Sequence, residues 1–163
     1  IMRILGIDPG YGIVGWGLID VDNSIQVIDY GVVSTPKELT LPERLEVIYS
    51  SIQSLINSYN PDVMSVEELF YFKNQTTVIP VAEARGVILL SAKMCKLPIF
   101  EYTPLQIKQA LTGFGRAEKA QVQYMVKTLL GLEKVPKPDD AADALAVAIC
   151  HSQINPRLND NFV

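Results

Sequence analysis

The stretch Ile4-Leu5-Gly6-Ile7-Asp8-Pro9-Gly10-Tyr11-Gly12-Ile13-Val14-Gly15-Trp16-Gly17 decides the fold. Its first five residues read as a strand, with Leu5 and Ile7 on one face and Ile4, Gly6 and Asp8 on the other. The strand then meets Pro9-Gly10, which turns the chain. Asp8 has two readings. Asp-Pro-Gly is ordinary turn chemistry, yet a charge at the mouth of a buried strand needs a cation, a proton or a set of hydrogen bonds. The choice depends on whether other carboxylates can be brought beside it. Gly10 to Gly15 also fits the dinucleotide pattern G-x-G-x-x-G. That motif requires a helix to follow, whereas Ile13 to Ile19 is β-branched, aromatic and broken by glycine, so it reads as a second strand. Asp20-Val21-Asp22-Asn23 turns into a third strand, Ile25 to Val33. Short turns between three strands predict an antiparallel meander.

Beyond the meander, helices alternate with short strands. Thr40 opens a helix with a capping box to Glu43, and Pro42 sits in its first turn. Leu41, Leu45, Ile48, Ile52, Leu55 and Tyr59 form its expected buried stripe, and Asn60-Pro61 ends it. Val63 to Glu67 is a short buried strand that, like the first, finishes on a carboxylate. A loop with three aromatics and Lys73 leads to a helix from about Thr76 to Lys93, where Ala82, Ala84 and Gly86 allow close packing against a neighbour. Pro98 to Tyr102 is a fifth strand, followed by a short helix that carries Lys108 and breaks at Gly113-Phe114-Gly115. Ala117 to Leu130 and Asp139 to Ile149 are the last two helices, with Gly131 stopping the first. The reading is one domain over residues 2–151 and a loosely held tail over 152–163.

With 163 residues, 48% apolar and 20% charged, the chain has the composition of a globular domain that buries about 70% of its unfolded surface. No apolar run approaches the roughly 18 residues of a membrane span, and no signal peptide opens the sequence, so the expected compartment is the cytoplasm. Ile1 before Met2 reads as a processing residue. Cys95 and Cys150 have no zinc or redox spacing, and a single histidine, His151, cannot build a zinc site. The net charge of −4 argues at first against nucleic acid. It conceals an asymmetry: residues 70–127 hold eight basic and three acidic side chains, while the remainder holds six and fifteen. A basic footprint on one part of the surface is therefore available.

Two more acids complete a pattern. Asp140 and Asp143 are three residues apart, on one helix face. Acids near a helix start cap it and complement its dipole, which accounts for Asp139 and Asp140. Asp143 lies deeper, among alanines that would let the helix backbone approach a sheet. If the first and fourth strands are adjacent and parallel, Asp8 and Glu67 lie side by side. Four carboxylates converging in a dry site cannot all ionise without cations. Oxygen ligands without His or Cys select Mg²⁺ or Mn²⁺, and two such ions about 4 Å apart can drive in-line phosphoryl displacement.

Several motifs carry a resemblance. Gly6-Ile7-Asp8-Pro9-Gly10, Val66-Glu67-Glu68-Leu69-Phe70 with Lys73-Asn74, Ala84-Arg85-Gly86, Glu101-Tyr102, Ile107-Lys108-Gln109, Ala117-Glu118-Lys119 and Asp140 to Ala146 resemble the RuvC family of Holliday-junction resolvases, in order along nearly the whole chain. The resemblance implies a ribonuclease-H-like α/β fold whose five-stranded mixed sheet has the order 3-2-1-4-5, with strand 2 antiparallel and helices on both faces. It implies a homodimer that hydrolyses two opposite strands of a four-way junction, leaving 5′-phosphate and 3′-hydroxyl nicks. The family's catalytic acids fall on Asp8, Glu67, Asp140 and Asp143, with two Mg²⁺ ions implied, Mn²⁺ as a substitute, and Asp8 as the candidate to bridge them. Lys108 and Lys119 match active-site lysines that hold the scissile phosphate. Phe70 matches an aromatic at the junction crossover, and the expected DNA contacts are Phe70, Lys73, Arg85, Lys108, Arg116 and Lys119. A RuvA–RuvB branch-migration complex is the implied partner.

Three other functions fit parts of the pattern. An actin-like kinase begins with a similar hairpin but needs two related domains and a second phosphate hairpin. A non-catalytic branched-DNA binder would not need all four acids. A ribonuclease-H-like enzyme acting on RNA shares the fold, but the Asp-Ala-Ala-Asp helix and paired lysines favour the junction enzyme.

Overall fold

The computed structural model describes residues 1–10, 12–69, 76–154 and 160–163. Phe70, Lys73 and the rest of the aromatic loop lie outside the described residues, as do Tyr11 and 155–159. The elements run β1 (Met2–Asp8), β2 (Ile13–Val21), β3 (Ile25–Ser34), α1 (Leu41–Tyr59), β4 (Val63–Glu67), α2 (Val78–Met94), β5 (Ile99–Tyr102), α3 (Pro104–Thr112), α4 (Lys119–Leu129) and α5 (Asp139–Gln153). The sheet order is β3-β2-β1-β4-β5, with β2 antiparallel to both neighbours and β4 parallel to β1 and β5. Order and direction agree with the expectation.

Strand alternation divides the core into two layers. Leu5, Ile7, Met64 and Val66 pack with Ile48, Ile52 and Ile56 of α1 and Ala84, Ile88 and Ala92 of α2. On the opposite face Ile4, Ile19 and Val63 meet Ile107, Val122, Val126 and the apolar body of α5. Asp8 and Glu67 therefore end their strands on the α5 side.

Helix α5 lies unusually close to the sheet, and two glycines show why. A Cβ on Gly6 would fall 2.0 Å from the Ala144 carbonyl oxygen, and one on Gly15 would fall 2.0 Å from that of Asp140. The backbone of α5 thus rests where side chains would otherwise stand. Ser65, fully buried on β4, donates its hydroxyl to the Val147 carbonyl at 2.7 Å and fixes the helix along its axis. These contacts turn a sequence of small residues into a defined height of Asp140 and Asp143 above the strand ends.

Several expectations need correcting. Along α1 the fully buried positions are Ile48, Ile52 and Ile56, while Leu41 is exposed at the open end of the helix. Ala82 and Gly86 of α2 face outward rather than against the chain's own core; only Ala84 of the three is buried. Helix α4 starts at Lys119 with Glu118 as its N-cap, and Ala117 is buried in the preceding turn. Residues 152–153 belong to α5. The end of the tail is docked: the Glu101 N–H donates to the Asn161 carbonyl and the Val163 N–H to that of Ile99, both at 2.9 Å. The cause is β5, an edge strand whose outward backbone groups need partners.

Candidate active site

Four acids meet at one end of the sheet. Asp8 pairs with Gly15 across the β1–β2 ladder, and the β1–β4 register runs Gly6 with Ser65 and Ile7 with Val66, so the next step brings Asp8 beside Glu67. Asp140, in the first turn of α5, lies directly over Gly15, and Asp143 follows one turn later. The Asp8 carboxyl is pushed well above its ordinary range, first by burial and then by Glu67, Asp143 and Asp140; its hydrogen bond with Glu67 acts in the same direction. Two carboxylates this close in a partly dry site repel one another, a cost that a proton or a cation relieves. Asp143 is also raised, chiefly by burial and further by Asp140, while Lys119 works against the shift.

Two clefts open on this cluster and share Glu67 and Asp143. The first, of about 220 Å³, is lined by Asp8, Pro9, Glu68, Val81 and Arg85 among others. The second, of about 150 Å³, lies on the other flank and is lined by Lys108, Lys119, Ile107 and Val122. Lys119 Nζ is 3.6 Å from Asp143 Oδ2 and 3.7 Å from Asp139 Oδ2. Burial opposes its charge, but the fields of Asp143 and Asp139 prevail and raise it above the ordinary lysine value. Lys108 shares this cleft, so the structure brings both sequence-predicted lysines to the acids.

The remaining sequence-predicted residues divide. Arg85 enters the first cleft from α2, but it is half-buried and paired with Glu101 of β5. Burial lowers its pKa, with Glu68 acting in the opposite sense. Arg116 is exposed on the α3–α4 turn. Phe70 and Lys73 lie outside the described residues. Sequence reasoning missed two acids: Glu101, which neutralises Arg85, and Asp139, which engages both Lys119 and Lys137 (3.1 Å) instead of serving only the helix dipole. Nothing in their spacing marks these pairs, because each joins separate elements or a loop to a helix.

The donor set fits hard divalent cations. It is all carboxylate, it is partly dry, and Glu67, Asp143 and Asp140 all oppose the charge on Asp8, a repulsion that a cation would relieve. Among the described residues, no group of three or more His, Cys, Asp or Glu side chains is gathered closely enough to hold a metal ion as it stands. No described helix is long and apolar enough to cross a membrane.

The mixed sheet of order 3-2-1-4-5, with acids at the ends of its first and fourth strands and on the last helix, defines a ribonuclease-H-like fold. Comparison with known proteins narrows the class. A model of the family described as crossover junction endodeoxyribonuclease RuvC matches residues 4–151. A protein of that name from Fusobacterium nucleatum subsp. nucleatum is 56% identical over 151 residues, covering 92% of this chain and 80% of that one. Another from Halothermothrix orenii is 55% identical over 159 residues, covering 97% and 96%. The structure of Thermus thermophilus RuvC in complex with a Holliday junction substrate covers all of both chains at 32% identity and a TM-score of 0.93. The chain belongs to the RuvC family of crossover junction endodeoxyribonucleases.

Proposed function

We propose that this chain resolves four-way DNA junctions by paired hydrolysis of phosphodiester bonds, and that Asp8, Glu67, Asp140 and Asp143 are its metal-binding acids. One observation carries the assignment of the site: Asp8 and Glu67 end adjacent parallel strands with α5 seated over them, and burial together with Glu67, Asp143 and Asp140 pushes the Asp8 carboxyl well above its ordinary range. The ion is Mg²⁺, with Mn²⁺ able to replace it, and two ions serve each site. When bound, these cations activate a water and neutralise charge on the departing oxygen, leaving 5′-phosphate and 3′-hydroxyl ends.

The chain's own groups have separable tasks. Asp8 and Glu67, set by the β1–β4 register, define one wall, and α5 holds Asp140 and Asp143 against it at a height fixed by Gly6 and Gly15. Lys119 and Lys108 place fixed positive charge on the opposite flank, where a phosphate oxygen gains negative charge in the transition state. The pair Lys119–Asp143 keeps that ammonium beside the acids without occupying the strand ends. Arg116, Phe70 and Lys73 are assigned to the wider DNA surface, and Arg85, paired with Glu101, to the wall of the first cleft.

The working unit is a homodimer joined through α2. This helix is apolar around much of its circumference, yet Ile79 and Leu90 are 69% and 52% exposed, and Ala82 and Gly86 lie on the same outward face. An apolar helix face open to water calls for a partner, and its small residues admit another backbone. A two-fold partner gives two sites for two strands. The RuvA–RuvB complex is the partner proposed from family membership, and the cytoplasm is the proposed compartment.

A labelled synthetic four-way junction and a linear duplex, each with Mg²⁺ or with chelator, test the reading. Paired nicks are expected in the junction with metal and in neither substrate with chelator. Asp8→Asn should bind the junction and cut it at least about a thousandfold more slowly, the several kcal/mol of metal-assisted catalysis being lost. Full cleavage by that variant removes Asp8 from the site, and failure of the wild type to nick the junction overturns the function.

A further inference from the structure

The turn between the two lysine-bearing helices, α3 and α4, holds an aromatic ring out into water. Phe114 is 57% exposed, and its neighbour Leu105 is 61% exposed. The turn itself is held in place. Gly113, at φ 76°, reverses the chain after α3, and its N–H donates to the Gln109 carbonyl at 2.9 Å. The Gln109 amide returns a bond to the Gly113 carbonyl at 3.2 Å. The Thr112 hydroxyl accepts the Phe114 N–H at 3.0 Å and lies 2.6 Å from the Lys108 carbonyl oxygen. On the far side, the Ala117 N–H donates to the Phe114 carbonyl at 3.1 Å, and Ala117 is buried. Gly115 backs onto Leu105, where an added Cβ would approach Cγ to 3.2 Å. A backbone fixed at both ends, with its ring outside, is built to present that ring.

Its surroundings indicate to what. The turn joins the helix that carries Lys108 to the helix that begins with Lys119, and both lysines line one cleft with Glu67 and Asp143. Phe114 follows Lys108 by six residues and precedes Lys119 by five, with exposed Arg116 between. Glu118 is the single acid of the turn, and it serves as the N-cap of α4. An exposed aromatic ring on the turn that joins the two lysine-bearing helices, with exposed Arg116 two residues on, suits a polyanion with flat apolar faces, which describes a nucleic-acid strand.

We propose that Phe114 is a DNA-contacting residue that stacks on a nucleotide of the strand entering the Lys108–Lys119 cleft, and so positions the scissile phosphate. The assignment rests on the junction-cutting reading above. It adds a stacking site on α3–α4, separate from the loop that contains Phe70.

The test uses full-length protein and synthetic junctions with 2-aminopurine placed singly at each nucleotide flanking the cut. In chelator, wild type and Phe114→Trp should change the fluorescence of one such position, and Phe114→Ala and Phe114→Leu should not. Junction affinity should fall about 5- to 100-fold in Phe114→Ala and recover in Phe114→Trp, the range expected for one stacked base. Thermal unfolding should be unchanged, since the ring is exposed. Phe114→Leu keeps the apolar bulk, so wild-type fluorescence and affinity in that variant would overturn stacking. So would a Phe114→Ala protein equal to wild type within twofold in affinity and cleavage, or one whose altered activity follows a change in dimer mass. If the wild type neither binds nor cuts junctions, the junction-cutting reading fails; if it cuts and Phe114→Ala cuts equally, only this assignment fails.

Discussion

The two clefts that share Glu67 and Asp143 handle charge in opposite ways. In the first, acids sit at strand ends with their positions set by ladder register, and the available cation, Arg85, is already neutralised by Glu101. In the second, Lys108 and Lys119 stand on helices, and Lys119 is more than half exposed while it touches Asp143. The difference is one of rigidity and of sign. Backbone-fixed carboxylates suit cations, which demand several oxygens at set distances, whereas long ammonium stems suit a phosphate that arrives and leaves. The same two acids face both, so a phosphate in the second cleft lies against the charge assembled in the first.

Removing the cation from the lysine flank should have the larger effect. Lys119→Ala is expected to slow single-turnover junction cleavage about 10²- to 10³-fold, as for loss of one preorganised transition-state donor. Junction affinity should fall much less. If affinity falls as far as the cleavage rate, Lys119 is an electrostatic anchor and the two flanks differ only in sign.

On the other flank, Arg85 should matter to the fold before it matters to DNA. Arg85→Met leaves the half-buried Glu101 without its partner, at a cost of about 1–2 kcal/mol, between an exposed ion pair and a fully buried one. For a chain of this size that lowers Tm by about 2–8 °C. Cleavage and binding should change less than in Lys119→Ala. A variant with unaltered Tm and tenfold weaker junction binding would instead return Arg85 to the DNA surface, as its place in the basic middle region first indicated.

Much of this architecture is legible locally. The alternation of β1, the capping residue Thr40, and the carboxylates closing β1 and β4 all follow from short-range rules, and the structure retains each. What is not legible is distance between elements. Gly6 reads only as a position on one strand face and Gly15 as an interruption of a strand, yet their role is to seat α5, a contact more than a hundred residues away in sequence. Glu101 and Asp139 escaped notice for the same reason, since an ion pair between elements leaves no spacing to detect. Ala82 and Gly86 read only as allowing close packing against a neighbour, because composition does not say which face a helix turns to the sheet. Phe114 gave no signal at all: one aromatic between two glycines has no period, and its meaning comes from the turn it occupies between the helices that carry Lys108 and Lys119.

The smallest expected effect concerns the acids without metal. The carboxyls of Asp8 and Asp143 lie above their ordinary value of 3.8, both chiefly through burial. A raised carboxyl pKa means that the folded state binds more protons than the unfolded chain, so these two groups favour folding at low pH. Their contribution fades as pH rises from about 4 through the raised values. In chelator, Tm should therefore decline between mildly acidic and mildly alkaline pH, and Asp8→Asn should decline less and exceed wild type at the alkaline end. Each tenfold change in proton affinity is worth about 1.4 kcal/mol, or about 3–6 °C here. Divalent cation should remove most of the difference by taking the place of the proton. An Asp8→Asn protein less stable than wild type in chelator at alkaline pH would mean that Asp8 is stabilised by its neighbours. The first cleft would then be an ordinary polar network, and the contrast between the two flanks would disappear.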